Sequence, residues 1–412
     1  VKKWPKGKLR RRLFEEVGSM AKMSNISRDL VEEILSRIPA TSLRKFRSTC
    51  KLWNSISKDG TFTKNHLAHS AAAAAAAAAA RKEEILAIVL NNSSLHLMSV
   101  NLNYSDPSIT PRGNLITLTD SEKQIEVTQV YHCEGLLLCV TEDYTKLVLW
   151  NPYSGQTRWI SVEPKSVDHS KFWYAHALGY DKSTQKILRF SHPPSERSVH
   201  EIYHVNYNSW RVLDDVTPDW NVDLEYDNYA LSLKGNAYWF AQDKEAGGNV
   251  PGFLLCFDFT TERFVPRLPL PFESYYEDAV TLSTVREEQL AVLFQNLDTY
   301  EMDVWVTTKI GPNGASWSKF LSVDMSPLTW FQFFSGGSFI TDEEKRAVIV
   351  FDEDHNYPET NLNTVYFIGE NGYFRDVDFP KFTRGRDVFP HAFSYVPSSV
   401  EISFSTNENQ IY

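Results

Sequence analysis

Two different periodicities divide the chain. From Arg28 to Ile38 the apolar positions are Leu30, Val31, Ile34, Leu35 and Ile38, a stripe at helical spacing that covers about a third of a helix circumference. Ser27 stands where it can cap this helix, Asp29, Glu32 and Glu33 suit its positive end, and Pro39 stops it. Thr41 or Ser42 caps a second helix whose stripe runs Leu43, Phe46, Arg47, Cys50 and Trp53; a third turn carries Ile56 and ends near Phe62. This is more apolar surface than about forty residues bury alone. The spacing leaves two readings open: a face that docks on another protein, or a face that packs on the rest of this chain.

Beyond Arg81 the pattern changes to strands. Ile85–Leu90 and Leu95–Leu102 open the series, Gly135–Val140, Leu147–Trp150 and Thr157–Ile160 follow, and then Lys186–Phe190, Glu201–Asn206 and Trp210–Leu213. Next come Ala237–Phe240, Phe253–Phe259 and Arg263–Val265; Gln289–Phe294, Met302–Thr307 and Trp317–Leu321; and Ala347–Phe351, Thr364–Ile368 and Phe374–Val377. The phrases LVLWNPYSGQTRWI, YHVNYNSWRVL, LLCFDFTTERFVPRL and VYFIGENGYFRDVDF share one form, an apolar strand, a turn, and a strand with an aromatic. Loose repeats of about 40–50 residues with several strands each predict a mainly β fold, a β-propeller of about six blades whose faces are buried only against their neighbours. A pair of β-sandwiches is the alternative.

Composition narrows this picture. The 412 residues are 42% hydrophobic and 13% aromatic, enough for a large core and in keeping with sheet structure. No run of 18 apolar residues offers a membrane helix. The four cysteines, Cys50, Cys133, Cys139 and Cys256, form no close pair of the kind that holds zinc; buried free thiols suit the reducing cytoplasm or nucleus. Residues 1–67 hold 16 Lys and Arg against 6 Asp and Glu, so with −10 overall the remainder carries −20. An acidic body repels phosphate backbones, which argues against nucleic acid and in favour of basic protein partners. Residues 1–23, with Lys2, Lys3, Lys6, Lys8 and Arg10–Arg12, read as a basic tail, an import or anion-binding patch, or a vector-derived segment ahead of Met20 or Met23. Ten alanines at Ala71–Ala80 predict a helical linker within residues 67–84, and residues 397–412 read as a C-terminal tail.

The chain shows no constellation for catalysis. There is no Gly-x-Ser-x-Gly elbow, no phosphate loop and no His-Glu-x-x-His; Gly247-Gly248 and Gly336-Gly337 read as loop glycines. Asp352-Glu353-Asp354-His355 has donors for a divalent cation, yet a solvated loop between strands explains it as well. His132, His176, His192, His200, His204 and His391 are scattered, as surface or satisfied core histidines are. The reading is a non-catalytic chain without metal or cofactor.

Several of these residues also match known families. Asp29-Leu30, Ile34-Leu35, Arg37-Ile38-Pro39, Ser42-Leu43, Arg47, Cys50-Lys51, Trp53 and Phe62 together resemble the F-box, although its usual opening Leu-Pro is Ile26-Ser27 here. Cys133-Glu134-Gly135-Leu136-Leu137, Leu147-Val148-Leu149-Trp150-Asn151-Pro152, Leu178-Gly179-Tyr180-Asp181 and Ser209-Trp210-Arg211 resemble the type 1 F-box-associated domain of plant F-box proteins, with Glu134 in place of the usual Asn. The resemblance covers roughly residues 24–378. It implies an F-box at 24–66, an F-box-associated domain at 85–396, and a substrate receptor of a Skp–cullin–F-box ubiquitin ligase. The adaptor face would be formed or supported by Leu30, Ile34, Leu35, Ile38, Pro39, Leu43, Phe46, Arg47, Cys50 and Trp53. Through a Skp-type adaptor it would reach a cullin and a RING subunit, and act by proximity rather than chemistry. Trp150, Trp159, Trp210, Trp239 and Phe257 are expected in blade cores. Trp173, Tyr174, Trp220, Tyr276, Trp330 and Phe331, in turn-rich stretches, are the candidate contacts to a protein substrate. A small-molecule or carbohydrate-binding propeller is the alternative.

Overall fold

The computed structural model describes, in the N-terminal part, Arg28, Val31, Glu32, Leu35, Lys51–Ile56, Phe62 and His66. Within residues 84–402 it describes all but 92, 115–118, 121–122, 183, 163–172, 193–198, 215, 217, 223–228, 245–249, 276–277, 297, 328–332, 334–337, 354–362 and 380–389. The chain divides into two compact units, residues 1–80 and 81–412.

In the first unit, Arg28, Val31, Glu32 and Leu35 are helical, and a short helix α1 spans Lys51–Ile56. Val31 and Leu35, one turn apart, are buried with Ile56 and Phe62, and Trp53 packs against them half-buried. Arg28 and Glu32, also one turn apart, form an exposed ion pair at 2.8 Å. The helical spacing read from the sequence therefore holds wherever this unit is described.

The second unit is a ring of six antiparallel sheets. In chain order its strands are β1 (Glu84–Asn91), β2 (Ser94–Asn101) and β3 (Ser108–Asn114), followed by the small hairpin β4 (Thr119–Asp120) and β5 (Lys123–Gln124). The second blade is β6 (Val127–Cys133), β7 (Leu136–Thr141), β8 (Lys146–Trp150) and β9 (Thr157–Ser161). The third is β10 (Trp173–Asp181), β11 (Thr184–His192), β12 (His200–His204) and β13 (Ser209–Val212). The fourth comprises β14 (Trp220–Asn221), β15 (Leu231–Leu233), β16 (Asn236–Asp243), β17 (Phe253–Asp258) and β18 (Arg263–Phe264). The fifth has β19 (Ala279–Val285), β20 (Gln289–Gln295), β21 (Glu301–Gly311) and β22 (Gly314–Asp324); the sixth has β23 (Ser338–Asp342), β24 (Ala347–Glu353), β25 (Asn363–Gly369) and β26 (Tyr373–Asp378). Last comes β27 (His391–Ser394), which returns to pair with β1 and becomes the inner strand of the first blade. This is the six-bladed propeller the repeats predicted.

The apolar clusters explain why the blades need one another. Leu138 and Leu149 of the second blade, Leu178 and Ile187 of the third, and Trp239 and Phe257 of the fourth share one buried cluster. Others join the fifth to the sixth, the sixth to the first, and the first to the second. Strands β7 and β17 are buried at every position because both faces are covered, so their sequences LLLCVT and FLLCFD do not alternate.

Closure does not end at β27. Asn151, fully buried, donates from Nδ2 to the carbonyls of Ser398 (3.0 Å) and Val400 (2.8 Å). The Gln185 side chain donates to the Glu401 carbonyl at 3.2 Å, and the Ile402 amide to Gln156 Oε1 at 3.1 Å. Ile402 is itself buried in the shared cluster of blades two to four. Residues 398–402, read from the sequence as part of a tail, are a strap fastened across blades two and three.

Two expectations about side chains are corrected. Trp220 is not an exposed loop aromatic: it is 5% exposed, 4.9 Å from the Phe264 ring and edge-on to Phe190 at 5.5 Å. Asp352 is not in a solvated loop but buried at the end of β24. Among the expected core aromatics, Trp150, Trp239 and Phe257 are fully buried, whereas Trp159 and Trp210 are half-buried.

Candidate adaptor and substrate interfaces

Of the expected adaptor residues, Leu35 and Trp53 are described; Leu30, Ile34, Ile38, Pro39, Leu43, Phe46, Arg47 and Cys50 lie outside the described residues. Leu35 is fully buried in its own unit, so it supports a face without forming one. Trp53 is half-buried beside it. Leu52, which helical-stripe reasoning passed over, is 45% exposed on α1. An exposed leucine next to a half-buried tryptophan is apolar surface on a unit too small to spare it.

The propeller offers two faces. On one, the turns that join each inner strand to the next meet near the axis. Glu134 (φ 48°) and Gly135 (φ 79°) form the two-residue turn between β6 and β7, a geometry in which both residues are left-handed. Gly135 is required there: a Cβ on it would lie 2.3 Å from the Ser398 Cβ of the strap. Glu134 Oε1 accepts from the Tyr180 hydroxyl at 2.5 Å. Across the ring, Glu287 (φ 57°) in the β19–β20 turn brings Oε1 to 3.3 Å from His132 Nε2, which also accepts the Gly135 amide at 3.0 Å.

The electrostatics of this cluster follow from burial. Burial, and secondarily the Glu134 charge, raises the Glu287 carboxyl to about 7. Burial lowers His132 to about 4, so the imidazole is neutral at pH 7. The Phe393 ring stacks on His132 at 5.0 Å and seals its other side. The sequence put these groups 155 residues apart in one case, and no local pattern links them.

Along the axis lies a cavity of about 50 Å3 bordered by His132, Tyr229, Ser232, Ser283, Ser338 and His391. That volume holds a few waters. Cys133, Cys139 and Cys256 are buried free thiols; burial raises all three, Cys139 and Cys256 to about 12, which leaves them as thiols. Among the described residues, no three His, Cys, Asp or Glu side chains are placed to hold a metal ion.

The opposite face receives the connections from one blade to the next. The β10 strand starts there with Trp173 and Tyr174; the Arg189 guanidinium lies 5.1 Å above the half-buried Tyr174 ring. Tyr276, Trp330 and Phe331 lie outside the described residues, in the connections before β19 and β23. Tyr275, beside Tyr276, is 44% exposed.

The comparisons with known proteins agree with both units. A family model described as the F-box domain matches residues 23–65, and one described as the F-box associated beta propeller domain matches residues 86–402. Among curated proteins, a putative F-box protein of Arabidopsis thaliana is 49% identical over 92% of this chain and 96% of its own length. An F-box/kelch-repeat protein of the same plant is 46% identical over 93% of this chain and 100% of its own length. A further F-box protein from Arabidopsis thaliana is 47% identical over 93% of this chain and 99% of itself. With a helical unit and a six-bladed propeller each matching its own family model, the chain belongs to the plant F-box proteins that carry an F-box-associated β-propeller.

Proposed function

We propose that this chain is the substrate-receptor subunit of a Skp–cullin–F-box ubiquitin ligase, with the propeller selecting a protein for ubiquitination and proteasomal degradation. The observation that carries the reading is the pairing, in one chain, of an F-box with an F-box-associated propeller that together account for almost its whole length. The helical unit docks on a Skp-type adaptor through Leu30, Ile34, Ile38, Pro39, Leu43 and Trp53, with Leu52 added to that face; cullin and RING subunits follow through the adaptor. Leu35 holds the face from behind. The propeller, in the −20 portion of the chain, takes a substrate of basic character. The receptor performs no bond chemistry; it holds substrate lysines beside a ubiquitin-charged enzyme and raises their effective concentration.

The test is a pull-down of the full chain with a Skp-type adaptor, comparing wild type with the double variant Leu30→Asp/Ile34→Asp. Wild type should retain the adaptor and the variant should lose it while the propeller still melts cooperatively. Equal retention by both would refute the docking reading. The axial cavity, with room for a few waters, favours no sugar or metabolite ligand.

A further inference from the structure

Two carboxyl groups meet where the turns of the ring converge. Glu287 belongs to the fifth blade and His132 to the second, three blades apart in a ring of six and so on opposite sides of the axis. Their 3.3 Å contact places the Glu287 carboxyl on the axis itself. Glu134 stands exposed beside it at the tip of the β6–β7 turn; after burial, its charge is what raises the Glu287 carboxyl. The Glu287 side chain is 27% exposed, so the pair is open to a visitor from outside.

Like charges this close call for a cation between them. Among the described residues, no Lys or Arg pairs with Glu134 or Glu287. Lys182 and Lys234 sit in the corresponding turns of the third and fourth blades, yet neither forms an ion pair with these carboxyls. Arg286, next in sequence to Glu287, is paired with Glu343 at 2.8 Å. The other groups that face Glu287 are His132, which burial lowers, and Cys133, Tyr180 and Tyr395, which burial raises, so all four are neutral at pH 7. A second observation points to a ligand. Tyr395 is 6% exposed, and its hydroxyl makes no hydrogen bond. The Tyr153 amide beside it is taken by Asn151 Oδ1 at 2.8 Å. This hydroxyl is raised by burial and then by the Glu287 charge, so it faces that carboxyl, with its ring edge-on to His132 at 6.1 Å. Glu287 Oε1 is likewise buried without a hydrogen bond.

We propose that this axial end receives a lysine or arginine side chain of the protein substrate, its cationic head held between Glu134 and Glu287 with the Tyr395 hydroxyl as a further acceptor. The inference rests on the receptor reading and gives its basic substrate a point of attachment. A cationic head brings donors only, which suits a site made of two carboxyls and an unpartnered hydroxyl. The bound cation favours the ionised form of Glu287, whereas burial beside Glu134 favours the protonated form in the free receptor, so binding draws a proton off this carboxyl.

The probe is a displayed library of random eight-residue peptides selected on the full chain, with affinities then measured by fluorescence anisotropy. Selected peptides should share one Lys or Arg whose replacement by Met weakens binding at least about tenfold, the size of a lost charge-assisted hydrogen bond; exchanging Lys and Arg at that position tells which head the site prefers. Affinity for wild type should fall at least about tenfold from pH 8 to pH 5.5, because Glu287 titrates near 7 and His132 stays neutral throughout. Glu287→Gln should bind about tenfold more weakly at pH 8 and show no such pH dependence, while melting no lower than wild type. A library that yields no peptide dependent on a basic residue, or peptides that Glu287→Gln binds as tightly at pH 8, would overturn the proposal. So would calorimetry in which calcium chloride alone saturates wild type and not Glu287→Gln, since the site would then belong to a metal ion. None of these measurements involves the Skp-type adaptor, so their failure leaves the receptor reading to its own pull-down.

Discussion

Asn151 offers the sharpest test of how the ring is closed. Its side chain is fully buried and makes four hydrogen bonds, all to backbone. Oδ1 accepts from Tyr153 N (2.8 Å) and Ser154 N (3.0 Å), which shapes the turn after β8; Nδ2 donates to Ser398 O and Val400 O, which fastens the strap. Each such bond contributes about 1 kcal/mol net, and a buried group left unpaired costs about 1–3 kcal/mol. Asn151→Ala should therefore cost about 3–5 kcal/mol. Asn151→Asp keeps the shape and the two accepted bonds, but turns an anionic oxygen toward two carbonyls. Burial and those carbonyls raise the folded-state pKa of the new carboxyl above its unfolded value near 3.9. The folded state then binds the proton more tightly, so the defect of Asn151→Asp should shrink as the pH falls from 7 to 5, while that of Asn151→Ala should not. Urea unfolding at both pH values measures this, and hydrogen exchange at residues 395–402 locates it. A loss below about 1 kcal/mol for Asn151→Ala, or a strap whose amides exchange as slowly as in wild type, would refute the account.

Two further predictions rest on other parts of the ring. At Gly179 a Cβ would lie 2.2 Å from Phe259 Cδ2 and 2.6 Å from the Gly235 carbonyl, so Gly179→Ala should cost at least about 2–3 kcal/mol by overpacking, read as a lowered urea midpoint; an unchanged midpoint would show that the third and fourth blades can separate there without loss. Glu287 binds its proton more tightly folded than unfolded, so its contribution is complete below about pH 4.5 and lost as the pH rises to 7 and beyond. Glu287→Gln, which stays neutral, should gain about 1–3 kcal/mol on wild type between pH 5 and pH 8; parallel melting-temperature profiles would remove the buried carboxyl from the argument.

Much of the architecture was legible, for an identifiable reason. The strands found by pattern include the second and third of each blade, such as Leu147–Trp150 and Phe253–Phe259, where both faces are covered and the apolar run is unbroken; the outer strands, such as Thr157–Ile160 and Phe374–Val377, were marked by the aromatic that follows each turn. The inner strands β6, β10, β15, β19, β23 and β27 escaped the pattern. Close to the axis there is space for Ala175, Ala177, Ala279 and Ala392, and the channel is bordered by Ser232, Ser283 and Ser338, so these strands lack the bulk and apolarity that announce a sheet. Trp220 misled in the opposite direction: Asp-rich, turn-rich neighbours surround a side chain that tertiary packing buries among Phe190, His200 and Phe264.

The sequence by itself determined what depends on neighbours along the chain. Helical spacing placed Val31 and Leu35 on one buried side, strand repeats implied blades, and the matched motifs identified both family units. Only the tertiary structure decided what depends on contacts between distant segments. Glu134, Tyr180, His132 and Glu287 meet because turns converge at one end of a ring, and burial there lowers His132 and raises Glu287. Asn151 holds residues 247 and 249 positions away, because the strap closes over the second and third blades. Periodicity reports how a strand meets its own sheet; it carries no information about which end of the ring two turns share, since that is set by closure of the whole chain.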